Sequence, residues 1–585
     1  MDRWLTDTAT SPRFPLFTRA NADEVGPEPF PPLTWTLAWE QAAVPGTVDA
    51  WVNLGAFRRE EFAEPVAEVY GCWGGYLYNQ VSIGRVFGQR APGANPDDID
   101  RMYFGSNPEV PAYVPHPGDS DEECSEAVGQ VLAAALSAER LPYAEDLVAE
   151  SRSWRTARPD FARLKDHELV AHGRAACERL RRAWDVYIQV VINASVGPAA
   201  IHAIASGVGR PEHAVAAVTA VGDVESARMN RQVWDLSRLV RGSSELTDAF
   251  DAGTAGLLSR LAAPSASSET PEFLARIRAF LTEFGHRGPN EYDLASDTWE
   301  TRPVIVLNMI DRIREQGDGQ SPERRVGIGA SMRDKAIAEL EDLAASDAQT
   351  SATLAAAIRS SHLFYRMREA CKDALVRAVH EVRLPFVELG RRAEAREDIV
   401  AAHHVFQLCE AELDAFVRDP EEWEGLLANR AAEFAKLADR VPPYTVMHGV
   451  EVPPISSWPV RGAASPTRSD VAEERGALQG VAASPGVAVG QARVVGDLSE
   501  VEELNPGEVL VCASTDPSWT PLLMAAAAVV CAVGAQGSHA AIISRELGVP
   551  CVVSVRQALH EIRTGDRLTV DGSAGTVIVN TASAP

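Results

Sequence analysis

The sequence predicts a multidomain α+β protein, with a large, mostly helical domain followed by a small C-terminal α/β domain. Three observations predict it. Residues 121–445 carry long Ala/Leu/Glu/Arg segments with apolar residues at helical spacing, such as SEAVGQVLAAALSAERL and FYRMREACKDALVRAVHEVRLPFVELGRRAEA. Residues 477–585 switch to short β-rich runs separated by turns, with helical stretches between them. The length, 585 residues, leaves room for about three or four domains.

Taken in order, residues 1–120 are rich in Pro, Gly and aromatics and hold five of the 12 tryptophans. They read as an irregular part of the helical domain with short strands such as GGYLYNQVSI. Their rings either cover a core or line a site for an aromatic ligand. Residues 121–451 form the helical body, with Gly/Pro/Ser breaks near 206–212, 263–271 and 285–303. Residues 452–476 have the composition of a linker. Beyond it, GVAVGQARVV, GEVLVCA, AAVVCAV, PCVVSV and DRLTVDGSAGTVIVN read as strands, and TPLLMAAA and SHAAIISRELG as helices.

Composition narrows the function classes. The net charge is −27, from 82 acidic against 55 basic side chains, which argues against broad binding to nucleic acid or an anionic membrane. Eight scattered cysteines without a CxxC pair give no zinc or redox motif. The N-terminus has no signal-like apolar stretch, and no window approaches 18 apolar residues, so a cytoplasmic location is expected.

His539 is the leading catalytic candidate. It follows an apolar strand and the turn Gly534-Ala535-Gln536-Gly537, and it opens a helix that stops at Gly548 and Pro550. Ser538 is a natural cap for that helix. Free N–H groups and the positive helix end at this place favour a phosphoryl group. A neutral imidazole can carry one covalently, splitting a hard transfer into two easier steps. The competing reading is a capping or core histidine. A second polar cluster follows: His286 and Arg287 between Gly285 and Gly288, then Glu291 and Asp293. A third, Arg366, Arg368, Glu369 and Lys372, occupies neighbouring turns of one helix. Arginine forks match phosphate oxygens, and a histidine or carboxylate can take a hydroxyl proton. A buried ion-pair network tying the Gly turn to a helix is the alternative for the second cluster, and a structural role or a docking surface for the third.

The run GAQGSHAAIISRELGVPCVV resembles the mobile phosphohistidine domain of the phosphoenolpyruvate-utilising enzymes. The family pattern is Gly-Gly-x-Thr-Ser-His-Ala-Ala, then a helix ending Ala-Arg-Glu-x-Gly-Ile-Pro-Ala-Val-Val. Here Ala535 replaces the second Gly, Gly537 the Thr and Ser544 the Ala. GVAASPGVAVGQARVV, GEVLVCASTDPSWTPLL (with Thr515) and GDRLTVDGSAGTVIV extend the resemblance over the domain. More loosely, FTRANADEVGPEPFPPLTWTLAW (with Arg19), FGHRGPNEYDLASDTWETRP and YRMREACKDALVRAVHEVR are similar to the substrate-side domain of synthase-like phosphotransferases.

The resemblance implies a function. His539 would carry the phosphoryl group, and Ser538, Thr515, Arg19, Arg287, Glu291, Asp293, Arg366, Arg368 and Lys372 would serve phosphate or acceptor, with His286 as base. The family's ATP-grasp domain is expected on a separate subunit, because the TRAN segment begins at Thr18 and the sequence has no GxxxxGK[ST] loop. ATP and Mg2+ would bind there. The order of domains is similar to the larger subunit of two-component phenylphosphate-synthase-like enzymes, which makes a phenol or alkylphenol the expected acceptor. A rifamycin-like antibiotic or another alcohol is the alternative acceptor, and a non-catalytic phosphocarrier or regulatory protein the alternative class.

Overall fold

The computed structural model describes residues 2–62, 69–104, 110–222, 224–263, 268–461, 477–496, 504–505, 507–535 and 538–580. The chain divides into two compact units. The first comprises Met1–Ala194, Asn290–Ser296 and Ala370–Arg468; the second comprises Ser195–Pro289, Asp297–Glu369 and Ser469–Pro585. The predicted α+β class holds in both.

The first unit is mostly helical around a small sheet of order β2-β3-β1-β4. Its strands are β1 (Leu16–Thr18), β2 (Tyr70–Trp73), β3 (Tyr76–Gln80) and β4 (Thr445–Met447). All pairings are antiparallel. Residues 34–53, expected to be irregular, form a wide-turn π-helix, Thr34–Ala43, continuing as the α-helix Val44–Asn53. The Trp35 indole N–H donates to Glu40 Oε1 at 2.8 Å, five residues on, which suits the wider turn. The expected strand GGYLYNQVSI ends at Gln80, whose side chain accepts the Ser82 N–H and starts the helix Val81–Arg90.

The N-terminal aromatics are core. Trp35 and Trp39 stack with centroids 6.1 Å apart, and Trp39 also meets Phe30, Tyr70 and Trp184. The stretch expected to open the linker is packed as well. Ile455 and Trp458 share a buried cluster with Trp4, Trp73 and Tyr76, and Val460 bridges to Arg440. Residues 462–476 lie outside the described residues.

The second unit joins two parts separated in sequence. Residues 477–580 form an eight-stranded sheet of order β5-β12-β11-β7-β8-β9-β10-β6. The strands are β5 (Leu478–Gln479), β6 (Val481–Ser484), β7 (Val487–Val495), β8 (Val509–Cys512), β9 (Ala528–Cys531), β10 (Cys551–Val553), β11 (Arg567–Asp571) and β12 (Thr576–Asn580). The centre, β7-β8-β9-β10, is parallel, and the flanking pairs are antiparallel. The helix His539–Leu547 connects parallel β9 and β10, so these runs form a βαβ unit.

Helices of residues 225–314 pack on this sheet domain through one apolar core. Val233, Leu307 and Ile310 from the helices share it with Leu523, Ala541 and Ile543. The single helical body expected over 121–451 is therefore divided. Helical periodicity marks which face is apolar but not which partner covers it. Residues 348–369 of the long helix Ala348–Ala395 fold with the second unit, and residues 370–395 with the first.

One helical run departs from the sequence expectation about membrane-length segments. Residues 166–207 contain an 18-residue window of mean hydropathy 1.5, long and apolar enough to cross a bilayer by length and composition alone. Of that window 33% is buried inside the protein. Within the run Val186, Val190 and Ile201 are core residues.

Candidate functional site

The strand β9 ends at Cys531, and the chain turns through Gly534, whose φ of 138° is open mainly to glycine. Ser538 then takes an extended conformation and accepts the Ala541 N–H on Oγ at 3.2 Å. His539 is the first helical residue, and Gly548 closes the helix with φ 63°. Gln536 and Gly537 lie outside the described residues.

Thr515 completes the arrangement. It sits three residues past the end of β8, the strand beside β9, so both side chains stand at the carboxyl ends of adjacent parallel strands. That edge is where open α/β sheets place their ligands. Thr515 Oγ1 and His539 Nδ1 are 2.8 Å apart, and both residues are buried. The contact fixes the ring and engages Nδ1. In the tautomer where Nδ1–H donates to Thr515, the Nε2 lone pair is available as a nucleophile. The structure thus brings Ser538, Thr515 and His539 together.

The other sequence candidates lie elsewhere. His286 and Arg287 are buried in the second unit, in a turn after the helix Glu269–Phe284. Backbone bonds from Trp299 to Arg287 and from Glu300 to Gly285 clip this turn shut. Gly288 is required there, since a Cβ would come 2.6 Å from the Asp297 carbonyl oxygen. Glu291 and Asp293 fold with the first unit. Asp293 accepts from the Thr34 hydroxyl at 2.5 Å, and burial raises its carboxyl above the ordinary range. Arg366 and Arg368 lie on the part of the long helix in the second unit, and Lys372 on the part in the first. Arg19 is held inside the first unit. Its guanidinium donates to the Leu77 and Gly26 carbonyls, pairs with Asp23 and lies over the Tyr76 ring.

Two polar groupings were not evident from the sequence. Arg383, fully buried, donates to the carbonyls of Glu291, Asp293 and Leu294. Nearby in sequence, Asp373 pairs with Arg377 at 2.9 Å and Glu381 with Arg158 at 2.6 Å. Their signal was the spacing of Asp373, Arg377, His380 and Glu381, which puts four polar groups on one helix face. The second is the pair Tyr365 and Arg545. Arg545 donates to the Tyr365 hydroxyl at 3.0 Å, tying the His539 helix to the long helix within the second unit.

Residues 504–575 match the mobile domain of the PEP-utilising enzymes, and residues 187–369 match the fourth domain of rifampicin phosphotransferase. The C-terminal domain is thus similar to the mobile domain of the PEP-utilising enzymes. The chain is 28% identical over 98% of its length to an uncharacterised protein of Mycobacterium tuberculosis, of which it covers 62%. It is 29% identical to a rifampicin phosphotransferase of Streptomyces sviceus, over 62% of this chain and 40% of that one. It is 31% identical to the prodigiosin synthesizing transferase PigC of Serratia marcescens, over 52% of this chain and 33% of that one. The chain thus spans about three fifths of the length of the first relatives it matches. Both family matches fall mainly on the second unit, and the rifampicin phosphotransferase match ends where that unit's share of the long helix ends, at residue 369.

Thr515→Val removes the partner of Nδ1 while keeping the volume. If His539 carries a phosphoryl group, as proposed below, its loading is expected to fall by up to about a hundredfold, the scale of a misplaced reacting group. The unfolding midpoint should fall by only a few degrees, since the lost contact is worth about 1 kcal/mol. A loading rate equal to the parent's would show that Thr515 does not orient the ring.

Proposed function

We propose that this chain is the phosphohistidine-bearing part of an ATP-dependent, dikinase-type phosphotransferase that phosphorylates a small hydroxylated acceptor, a phenol or alkylphenol. The observation that carries this reading is the pairing of Thr515 with His539 Nδ1 at a capped helix N-terminus, on the carboxyl edge of a parallel sheet. In this reading a separate ATP-grasp subunit binds ATP and Mg2+. Among the described residues no group of three or more His, Cys, Asp or Glu side chains is placed to hold a metal ion, so no metal role is given to them.

The residues of this chain do two things. In loading, His539 Nε2 attacks the phosphorus, an N–P bond forms and the P–O bond to the leaving group breaks. The Ser538-capped helix end supplies N–H groups and positive potential for the phosphoryl oxygens. In discharge, the acceptor hydroxyl oxygen attacks the phosphorus, the P–N bond breaks and the hydroxyl proton passes to a base. His286 is the proposed base, and Arg287 with Arg366 and Arg368 the proposed phosphate contacts. The match of residues 187–369 to the rifampicin phosphotransferase fourth domain favours a second acceptor class, a rifamycin-like polyketide or another alcohol.

The acceptor is tested with His539-labelled protein offered a panel of phenols, alkylphenols and rifamycins. Discharge to phenols supports the first reading, and discharge to rifamycins alone replaces it with the second. Label that no acceptor removes would leave a phosphocarrier. His286→Ala is expected to slow discharge by roughly 10²- to 10⁴-fold and to leave loading unchanged, as loss of a general base would. Normal discharge would make His286 a structural residue.

A further inference from the structure

We propose, resting on the reading of His539 as the phosphoryl carrier, that Ser554 is a positioning residue of that site: its hydroxyl, presented by a left-handed backbone, anchors the Gly534 carbonyl and through the turn that follows sets the His539 ring against Thr515.

Ser554 is the first residue after β10, the strand parallel to β9. Its φ is 57°, a left-handed conformation that a residue other than glycine adopts at a cost. Such a cost persists only where the surrounding structure enforces it, and it collects at functional sites. Both neighbours enforce it here. Val553 is paired with Val481 of β6, and the Val555 N–H donates to the Cys531 carbonyl at 3.0 Å. Ser554 is the one residue between these two ties. Its hydroxyl donates to the Gly534 carbonyl, 20 residues back along the chain.

Gly534 is the place where the turn toward His539 leaves the sheet. Just before it, the Ala532 and Val533 N–H groups donate to the carbonyls of Cys512 and Ala513, both at 2.9 Å, and so extend the pairing with β8. Ser554 supplies the matching tie from the β10 side. Gly534 has little slack. A Cβ there would lie 3.2 Å from Ser538 Oγ and 3.3 Å from Val553 Cβ. The Gly534 backbone thus packs between the cap of the His539 helix and the residue that precedes Ser554. A displacement of Gly534 reaches Ser538, and with it His539, while Thr515 stays with β8.

The carboxyl ends of three adjacent parallel strands therefore divide the work. Thr515 beyond β8 meets the ring at 2.8 Å, Gly534 beyond β9 opens the turn, and Ser554 beyond β10 fixes where that turn begins. Ser554 acts on the ring through Gly534, which makes it a positioning residue. Glycine would take the same φ without cost, so what serine adds at this position is the hydroxyl.

The test compares the parent chain with Ser554→Gly, Ser554→Ala and Ser554→Thr, each offered a candidate ATP-grasp partner, Mg2+ and ATP labelled at the β-phosphate. Glycine loses the hydroxyl and relieves the backbone; alanine loses the hydroxyl and keeps the strained φ. Both should load roughly tenfold more slowly than the parent, as a displaced reacting group does, although the glycine protein unfolds at the higher temperature of the two. Threonine keeps the hydroxyl on a backbone that suits it less, and should load within about twofold of the parent despite a lower unfolding midpoint. Loading that simply followed the unfolding midpoints would overturn the proposal and leave Ser554 a structural residue. A second readout needs no loading: nitrogen-15 spectra of histidine-labelled full chain, with His539 identified by its absence from the His539→Ala protein. The glycine and alanine variants should move its two ring shifts from those of one held tautomer toward the average of a mobile ring. Unchanged shifts would overturn the proposal too. Where alanine or threonine prevents folding, the ring shifts of the glycine protein decide. Shifts that move while no protein, the parent included, takes up label would remove the carrier reading and keep the positioning role.

Discussion

His539→Ala protein, mixed with a candidate ATP-grasp partner, Mg2+ and ATP labelled at the β-phosphate, is expected to retain no label, while the parent protein becomes labelled. The loss should be chemical and not structural. Alanine is the best helix former, and Ser538 still caps the helix through the Ala541 N–H. The substitution removes the contact between Nδ1 and Thr515 Oγ1, worth about 1 kcal/mol. Deleting a covalent nucleophile, in contrast, costs on the order of a millionfold in rate where it has been measured. An unfolding midpoint near the parent's, with turnover at background, is therefore the expected pair of results. Label held by the alanine protein would place the phosphoryl group elsewhere and remove the basis of the proposed function.

Arg383→Ala is expected to be the most destabilising single change in the first unit. The guanidinium is fully buried and donates to Leu294 O at 3.1 Å, Asp293 O at 2.6 Å and Glu291 O at 3.3 Å. These carbonyls belong to Asn290–Ser296, a short segment that enters the first unit from residues of the second. Few other groups can answer three buried carbonyls. Each one left without a donor costs about 1–3 kcal/mol, so a total of roughly 3–6 kcal/mol follows. At about 2–4 °C per kcal/mol the midpoint of this unit should fall by roughly 10 °C. Lysine should not rescue it, because one ammonium cannot reproduce a planar fork. A shift within about 2 °C, read by calorimetry, would show that these carbonyls find other donors. Because Glu291 and Asp293 ride on the same segment, the variant should also lose any discharge step that uses them.

Much of the C-terminal domain was legible in the sequence. Each predicted strand from 487 to 580 is present, as are both helices between them. These elements are punctuated by local signals: Gly534 before the helix, Ser538 at its cap and Gly548 with a left-handed φ at its end. The first 120 residues were less legible. Their tryptophans are spaced as a helix face at 35 and 39, but Pro and Gly on both sides hid the period. The linker composition of 452–461 was misleading for a similar reason. Proline and serine there accompany a buried Ile455 and Trp458, whose contacts are with strands near the N-terminus.

By itself the sequence determined that His539 stands at a helix N-terminus after a glycine turn, because strand, turn, cap and stop are set by neighbours within a few residues. It also determined the α+β class, through the change of apolar period along the chain. Only the tertiary structure decided which side chains meet. Thr515 reaches His539 across 24 residues because two parallel strands lie side by side. Arg383 reaches Leu294 across 89 residues, and the helical body divides between two units at Glu369. Periodicity states that a face is buried; it takes the packed chain to state what covers it, since hydrophobic burial is non-directional and the polar contacts within it are not.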